Sequence, residues 1–269
     1  MTKFTRNSTS GERDLSKVSL GRVPLILMYH SVEEVPEDPN RLSVTPSRFA
    51  EQMKWLAEHG FRGVSMKTLF AAMRVGNERG LVGITFDDGY ENIAKNAVPE
   101  LLKHGFTATM FIISGLIGKT NEWDGEPVWP LMSGRQVEEV AAAGMEIGSH
   151  SVSHVRLQGL DVERIKSEIN DSRATLSELL GQPIRGFAYP FGSMDASVRQ
   201  AVREAGYEYA CSVETPLAAM GSMALPRMVV GQPDTAARLA VKKRFYKGYT
   251  AAVGTRLGEQ MINRLAGIV

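Results

Sequence analysis

The chain has 269 residues, 43% of them hydrophobic and 23% charged, with a formal net charge of +1. Those values fit one globular body with a sizeable core and give no ground for nucleic acid as a partner. A lone cysteine, Cys211, excludes an internal disulfide, and no run approaches the roughly 18 apolar residues of a membrane span.

Residues 1–22 are polar, carry five bases against two acids and lack the apolar segment of a secretory signal. They are expected to be a flexible N-terminal segment on a cytoplasmic chain. A single catalytic domain is expected over 23–232. Its strands fall at 24–29, 61–64, 81–86, 107–113, 145–149, 184–189, 207–212 and 225–230, with helices over 46–59, 66–74, 91–104, 134–143, 161–180 and 195–205. Four helices close on glycine followed by an apolar residue: Gly60-Phe61, Gly105-Phe106, Gly144-Met145 and Gly206-Tyr207. Glycine past a helix end supplies a left-handed cap, and repeated helix-to-strand returns indicate a parallel sheet. The pattern predicts an α/β fold, an irregular (β/α) barrel, with a doubly wound open sheet as the alternative. Segment 114–133 is too long for a plain connector and is expected to wall a substrate site.

Residues 233–269 read as a basic helical extension. From Arg238 onward seven Lys and Arg face only Glu259, and Lys242-Lys-Arg-Phe-Tyr-Lys247 is the densest part of the run. Such a segment suits peripheral contact with an anionic membrane, or a solvated terminal helix packed on the barrel.

The chemistry gathers at strand ends. Leu81-Val-Gly-Ile-Thr-Phe86 is a buried-strand pattern that runs into Asp87-Asp88-Gly89. Side-by-side carboxylates are awkward for folding, and Gly89 permits a turn that brings both to one point; one of them could equally cap the following helix. Met145-Glu-Ile-Gly-Ser149 is a second short strand leading into His150-Ser-Val-Ser-His154. Imidazoles four apart can share a face across one helical turn. Two histidines and one carboxylate make a metal site with open positions, and the other carboxylate is then free to act as a base. His59 and His104 each precede a helix-ending glycine, where a cation favours the helix dipole, which leaves His30 as the third histidine at a strand end.

Thr85-Phe-Asp-Asp-Gly89 together with His150-Ser-Val-Ser-His154 closely resembles the first two motifs of the polysaccharide deacetylases, carbohydrate esterase family 4, whose shared region is the NodB homology domain. The resemblance runs from about residue 24 to 230. It implies a distorted (β/α)7 barrel, with Asp87 as catalytic base and Asp88, His150 and His154 as ligands of a divalent metal. Zinc is the metal it most directly implies, with Co2+, Ni2+ or Mn2+ as alternatives. The third motif departs from the common pattern: Phe187-Ala-Tyr-Pro-Phe-Gly192 puts Ala188 where many members carry an arginine that steers the base, and Arg185 is three positions too early. This version is similar to the branch that contains poly-N-acetylglucosamine deacetylases, as is Tyr29-His30 near the N-terminus, as though the barrel were circularly permuted. No histidine follows His154, so His30 is expected to be the general acid. Arg227, in Leu225-Pro-Arg-Met-Val-Val230, is expected to orient Asp87 in place of the missing arginine.

The reaction so implied is hydrolysis of an acetamide on an N-acetylhexosamine of an oligosaccharide, polysaccharide or glycan precursor. The resemblance also implies an oxyanion contact from a backbone N–H near Phe191. Trp123, Trp129, Tyr189 and Phe191 are candidate surfaces for stacking on sugar, and Asp124 a candidate substrate contact. An O-acetyl esterase, or a hydrolase of C–N bonds in a small amide or imide, is the competing enzymatic reading on the same fold. A non-catalytic carbohydrate-binding relative is disfavoured because Asp87, Asp88, His150 and His154 are all present.

Overall fold

The computed structural model describes residues 12–16, 24–36, 38–125, 128–213, 215 and 219–243. Its strands are β1 (Ile26–Tyr29), β2 (Ser31–Val32), β3 (Ser43–Val44), β4 (Arg62–Val64), β5 (Leu81–Phe86), β6 (Thr109–Ile112), β7 (Glu146–Ser149), β8 (Gly186–Ala188), β9 (Tyr209–Ser212), β10 (Leu225–Pro226) and β11 (Met228–Val229). The helices are α1 (Pro46–Glu58), α2 (Met66–Val75), α3 (Val98–Lys103), α4 (Gly134–Ala142), α5 (Val162–Leu180) and α6 (Ala196–Glu204). The strands and helices expected between 24 and 230 are present, with the 225–230 strand divided into β10 and β11, and the small β2–β3 pair is an addition; most of the helical extension expected over 233–269 lies outside the described residues.

All strand pairs are parallel, in the order β10-β9-β8-β7-β6-β5-β1-β11, with β4 against the first half of β5. The two ends of that order are one continuous stretch of chain. Leu225 and Pro226 pair with Cys211 and Ser212, whereas Met228 and Val229 pair with Leu27 and Met28. The sheet therefore returns on itself through residues 225–229 and nearly closes a barrel of seven staves, with helices outside it. Arg227 occupies the step between the two half-strands.

Side chains alternate across each strand. Leu27, Tyr29, Ile84, Phe86, Ile112, Ile147 and Phe187 face outward into the core shared with the helices. Ile26, Phe111, Ala188, Tyr209, Cys211 and Leu225 form a separate buried cluster inside the barrel. Two-residue periodicity carried on from that inner set puts His30, Asp87, His150 and Arg227 on the inner side, at the ends of their strands. At the opposite end of the barrel, half-buried Glu146 accepts from the Lys67 N–H (2.7 Å), Thr109 Oγ1 (2.7 Å) and the Tyr209 hydroxyl (2.7 Å).

Local signals explain the helix ends. Thr45, Ser65, Ser133, Asp161 and Asp195 cap α1, α2, α4, α5 and α6 with side-chain oxygens. The four helix-ending glycines all take left-handed φ, 74° at Gly60, 64° at Gly105, 91° at Gly144 and 84° at Gly206. Pro99, with no N–H to give, breaks the helical ladder ahead of α3, and Ile93–Ala97 widens into a π turn.

Of the N-terminal segment, residues 12–16 lie along α2 and the turn at 221–222. The Arg13 N–H donates to the Arg74 carbonyl (2.7 Å) and the Ser222 N–H to the Leu15 carbonyl (2.7 Å). The rest of 1–22 except residue 12–16 lies outside the described residues. The chain is helical at 236–243, where Leu239 is fully buried, Lys242 Nζ reaches Asp234 (2.7 Å), and Lys243 Nζ stands 3.8 Å from the Phe61 ring centre. That part of the basic extension packs on the barrel; the expectation of membrane contact rests on residues from 244 onward, outside the described set. Among the described residues no helix is long and apolar enough to cross a membrane.

Candidate active site

The inward residues at the strand ends converge on a cavity of ≈ 350 Å³ lined by His30, Asp87, Asp88, His150, His154 and Arg227 among others. Asp87 comes straight off β5, its N–H donating to the Tyr29 carbonyl (3.0 Å) on β1. Asp88 then turns to φ 67° and Gly89 to φ 80°. The left-handed torsion at Gly89 is one that residues with a Cβ resist, so this turn favours glycine.

Asp87 is held by Arg227. Its Oδ1 accepts from one guanidinium nitrogen at 2.6 Å and its Oδ2 from the other at 2.7 Å, a bidentate pair with both residues buried. The Thr85 hydroxyl accepts from the same guanidinium (3.1 Å) and donates to the Leu27 carbonyl (2.9 Å). Burial raises the Asp87 pKa, but the charge of Arg227, followed by that of His150, outweighs it and holds the carboxyl below its usual range. The small side chain of Ala188 sits in the inner core cluster with Phe111, over whose ring the Arg227 guanidinium lies at 5.4 Å. Arg185, by contrast, is spent on Glu208.

Asp88, His150 and His154 are all buried, and one ligand atom from each lies within 4.8 Å of the others. Asp88 Oδ1 stands 3.4 Å from His150 Nε2 and 3.2 Å from His154 Nε2. It nevertheless makes no well-formed hydrogen bond, an orphaned buried oxygen. His150 Nδ1 bonds the Ala188 carbonyl at 2.8 Å, which puts the proton there and turns the Nε2 lone pair toward Asp88. Burial lowers the His150 pKa, yet Asp87 and Asp88 more than reverse it, while Asp88 is held well below the carboxylate range despite its burial, chiefly by His154. A donor set of two imidazoles and a carboxylate, coupled around an unsatisfied oxygen, fits a divalent cation.

The His pair does not lie on a helical turn. His150–His154 is an irregular turn in which Ser151 (φ 66°) and His154 (φ 55°) both take left-handed torsions, and the rings converge to 5.0 Å. Outside contacts hold it. Glu168, 1% exposed on α5, accepts from the N–H groups of Val152 and Ser153 (2.9 Å each) and from the Ser153 hydroxyl (2.5 Å). From the short turn that follows β6, Ser114 and Gly115 donate their N–H groups to the carbonyls of Ser151 (3.1 Å) and Val152 (2.9 Å). His154 itself lies between Trp123 (4.6 Å) and Phe191 (4.5 Å), ring centre to ring centre.

The remaining expected residues are placed as follows. His30 ends β1, lines the cavity half-buried, and makes no hydrogen bond among the described residues. Tyr189 lines the cavity, but its ring is buried and its hydroxyl donates to the Met223 carbonyl (2.8 Å). Phe191 is 43% exposed in a strained backbone (φ 55°), with the Arg156 guanidinium 4.4 Å from its ring centre. Trp123 backs His154 without lining the cavity, Trp129 packs edge-on against Tyr90, and the side chain of Asp124 lies outside the described set. Cys211 is buried, its thiol pushed up to about 12 chiefly by that burial, so it is no nucleophile. Neither Arg156 nor Glu168 lies in a motif that marks it in the sequence. Glu168 forms an i,i+4 pair with Arg164 and looks in sequence like an ordinary solvent-facing helix pair.

An inward ring of titratable groups at the strand ends of a nearly closed parallel barrel, with a two-histidine, one-carboxylate cluster able to hold a metal, defines the class: a barrel hydrolase. Comparison with known proteins names the family. The polysaccharide deacetylase family model matches residues 74–210, and the chain belongs to that family. It is 32% identical over 209 residues to YxkH of Bacillus subtilis, a protein assigned to the polysaccharide deacetylases, covering 76% of this chain and 70% of that one. It is 28% identical to the poly-beta-1,6-N-acetyl-D-glucosamine N-deacetylase of Staphylococcus aureus, over 64% of this chain and 61% of the relative. Among solved structures it is similar to the Streptococcus pyogenes deacetylase PplD in complex with acetate, with TM-score 0.71, 25% identity and coverage of 81% of this chain and 96% of that one.

Two outcomes test this geometry. Arg227→Ala strands a buried carboxylate and should cost roughly 3–5 kcal/mol, read from the urea midpoint; adding Asp87→Asn should recover part of that loss, and an additive double mutant would deny the coupling. Glu168→Gln weakens the anchor of the 151–154 turn and should loosen divalent-metal affinity roughly tenfold in chelator competition. Unchanged affinity would show that the turn holds its shape without the carboxylate.

Proposed function

We propose that the protein is a metal-dependent N-deacetylase that hydrolyses the acetamide of N-acetylhexosamine units in a glycan or glycan precursor. The observation that carries this reading is the meeting, in one cavity, of the Asp88–His150–His154 cluster with the Arg227-bound carboxylate of Asp87. Asp88, His150 and His154 would hold the metal, with zinc preferred for two imidazoles and a carboxylate. When bound, such an ion supplies Lewis-acid polarisation of the acyl oxygen and lowers the pKa of water.

The rest of the work falls to the chain itself. An ionised carboxylate offers about four lone-pair sites, and Arg227 occupies two; Asp87 therefore remains able to take a proton from the attacking water. Arg227 keeps it ionised and fixed in direction, which is what a base in a buried site requires. His30, which lines the cavity and whose side chain makes no hydrogen bond among the described residues, is the donor for the departing sugar nitrogen. Water and acetamide thus give acetate and the free amine, with one proton passing to Asp87 and one from His30. The similarity to a deacetylase of β-1,6-linked N-acetylglucosamine supports an N-acetylhexosamine substrate.

Acetate release from a panel of N- and O-acetylated sugars, with and without a chelator, tests the proposal. N-acetylated glycans should be hydrolysed, and chelation should abolish turnover in a manner reversed by added zinc; release indifferent to chelator removes the metal from the reaction. His30→Ala should lower kcat by roughly 10²–10⁴ if it is the proton donor. Full activity in that variant would assign the donor elsewhere.

A further inference from the structure

Both carboxylates that line the cavity are paired with basic groups beside them. Asp87 is matched by Arg227, and Asp88 by His150 and His154. Arg156 also lines the cavity, is exposed, and has no carboxylate partner among the described residues. Its one contact of note is the Phe191 ring, 4.4 Å below the guanidinium carbon. Phe191 lines the same cavity and packs at 4.5 Å against His154. Arg156 thus ends a chain of contacts that runs from Trp123 through His154 and Phe191, the successive rings tilted at 52° and 47°, to the cavity wall.

Stacking on an aromatic face costs a guanidinium none of its in-plane N–H donors and restrains an otherwise mobile side chain. What the cavity wall offers at Phe191 is therefore a planar cation with its donors unclaimed by any acid. The exposed aromatic alone would suit the face of a neutral sugar; with Arg156 over it, the wall suits an anion. A bidentate fork of this kind matches a carboxylate or a phosphate.

Resting on the deacetylase reading, we infer that Arg156 forms a subsite for an anionic substituent, carboxylate or phosphate, carried by the substrate close to the N-acetylated sugar. The subsite also bears on the product. Hydrolysis creates an amine that becomes cationic, and a fixed cation on the wall disfavours glycans already deacetylated at neighbouring units.

The test compares wild type, Arg156→Lys and Arg156→Gln on three N-acetylated oligosaccharides of equal length: one neutral, one bearing a carboxylate on the adjacent sugar, one bearing a phosphate there. In the wild type the anionic substrates should have the lower KM, and the advantage should shrink as salt is raised. Arg156→Gln should cut the ratio of kcat/KM for anionic over neutral substrate roughly tenfold, mainly through KM. Arg156→Lys, which keeps the charge but loses the fork, should fall between. Whichever anionic oligomer shows the effect identifies the source of the anion. An equal loss on all three substrates would make Arg156 a general wall contact and overturn the proposal, as would no loss on any. Calorimetric binding of the same three oligomers runs alongside. If no oligomer releases acetate, the deacetylase reading falls, while an Arg156-dependent preference in binding still decides for or against the anion subsite.

Discussion

Much of this molecule follows from one buried ion pair. Asp87 and Arg227 are each almost wholly inaccessible, and they satisfy one another through two short, parallel hydrogen bonds. Either charge alone in that position would be severely penalised, because burial removes water from a group with no other neutralising partner. The pair therefore constrains the barrel as well as the chemistry. Arg227 can reach Asp87 only if residues 225–229 lie between β9 and β1, so closing the sheet and steering the carboxylate are one structural event.

Strain collects around the same point. Among the described residues five that are not glycine have left-handed φ, and Asp88, Ser151, His154 and Phe191 are four of them. Such torsions persist only where surroundings dictate them. Here the surroundings are specific: Glu168 and the 114–115 amides grip the turn between the histidines, and the ring stack braces His154. The two histidines are steadied differently, His150 by a hydrogen bond to the Ala188 carbonyl and His154 by aromatic packing, with its Nδ1 unpartnered.

The fold was largely legible in the residues because its signals are local and repeated. Glycines at 60, 105, 144 and 206 mark the helix-to-strand returns, and the two motifs fall where buried strands end. Arg227, 140 positions from Asp87, could be suggested as its partner because it too stands at a strand end and position 188 lacks an arginine. The shape of the 150–154 turn was not legible, since spacing of four suits a helix and only tertiary contacts from α5 and from the turn after β6 impose the irregular path. Glu168 escaped notice for the same reason: its burial depends on which turn lies against α5, and the helix pattern alone makes it half of a solvent-facing pair with Arg164. Arg156 carries no motif. Its meaning comes from the ring beneath it and from the absence of a nearby acid, both of them facts of three-dimensional arrangement.

The half-strand step at Arg227 has a further implication for how the protein comes into being. Ribosomes deliver Asp87 long before Arg227, so during synthesis the carboxylate has no counter-charge and the final stave of the barrel does not yet exist. The carboxylate gains its arginine only when residues 225–229 take their place between β9 and β1. A chain arrested before that point would carry Asp88, His150 and His154 while Asp87 still lacked its partner.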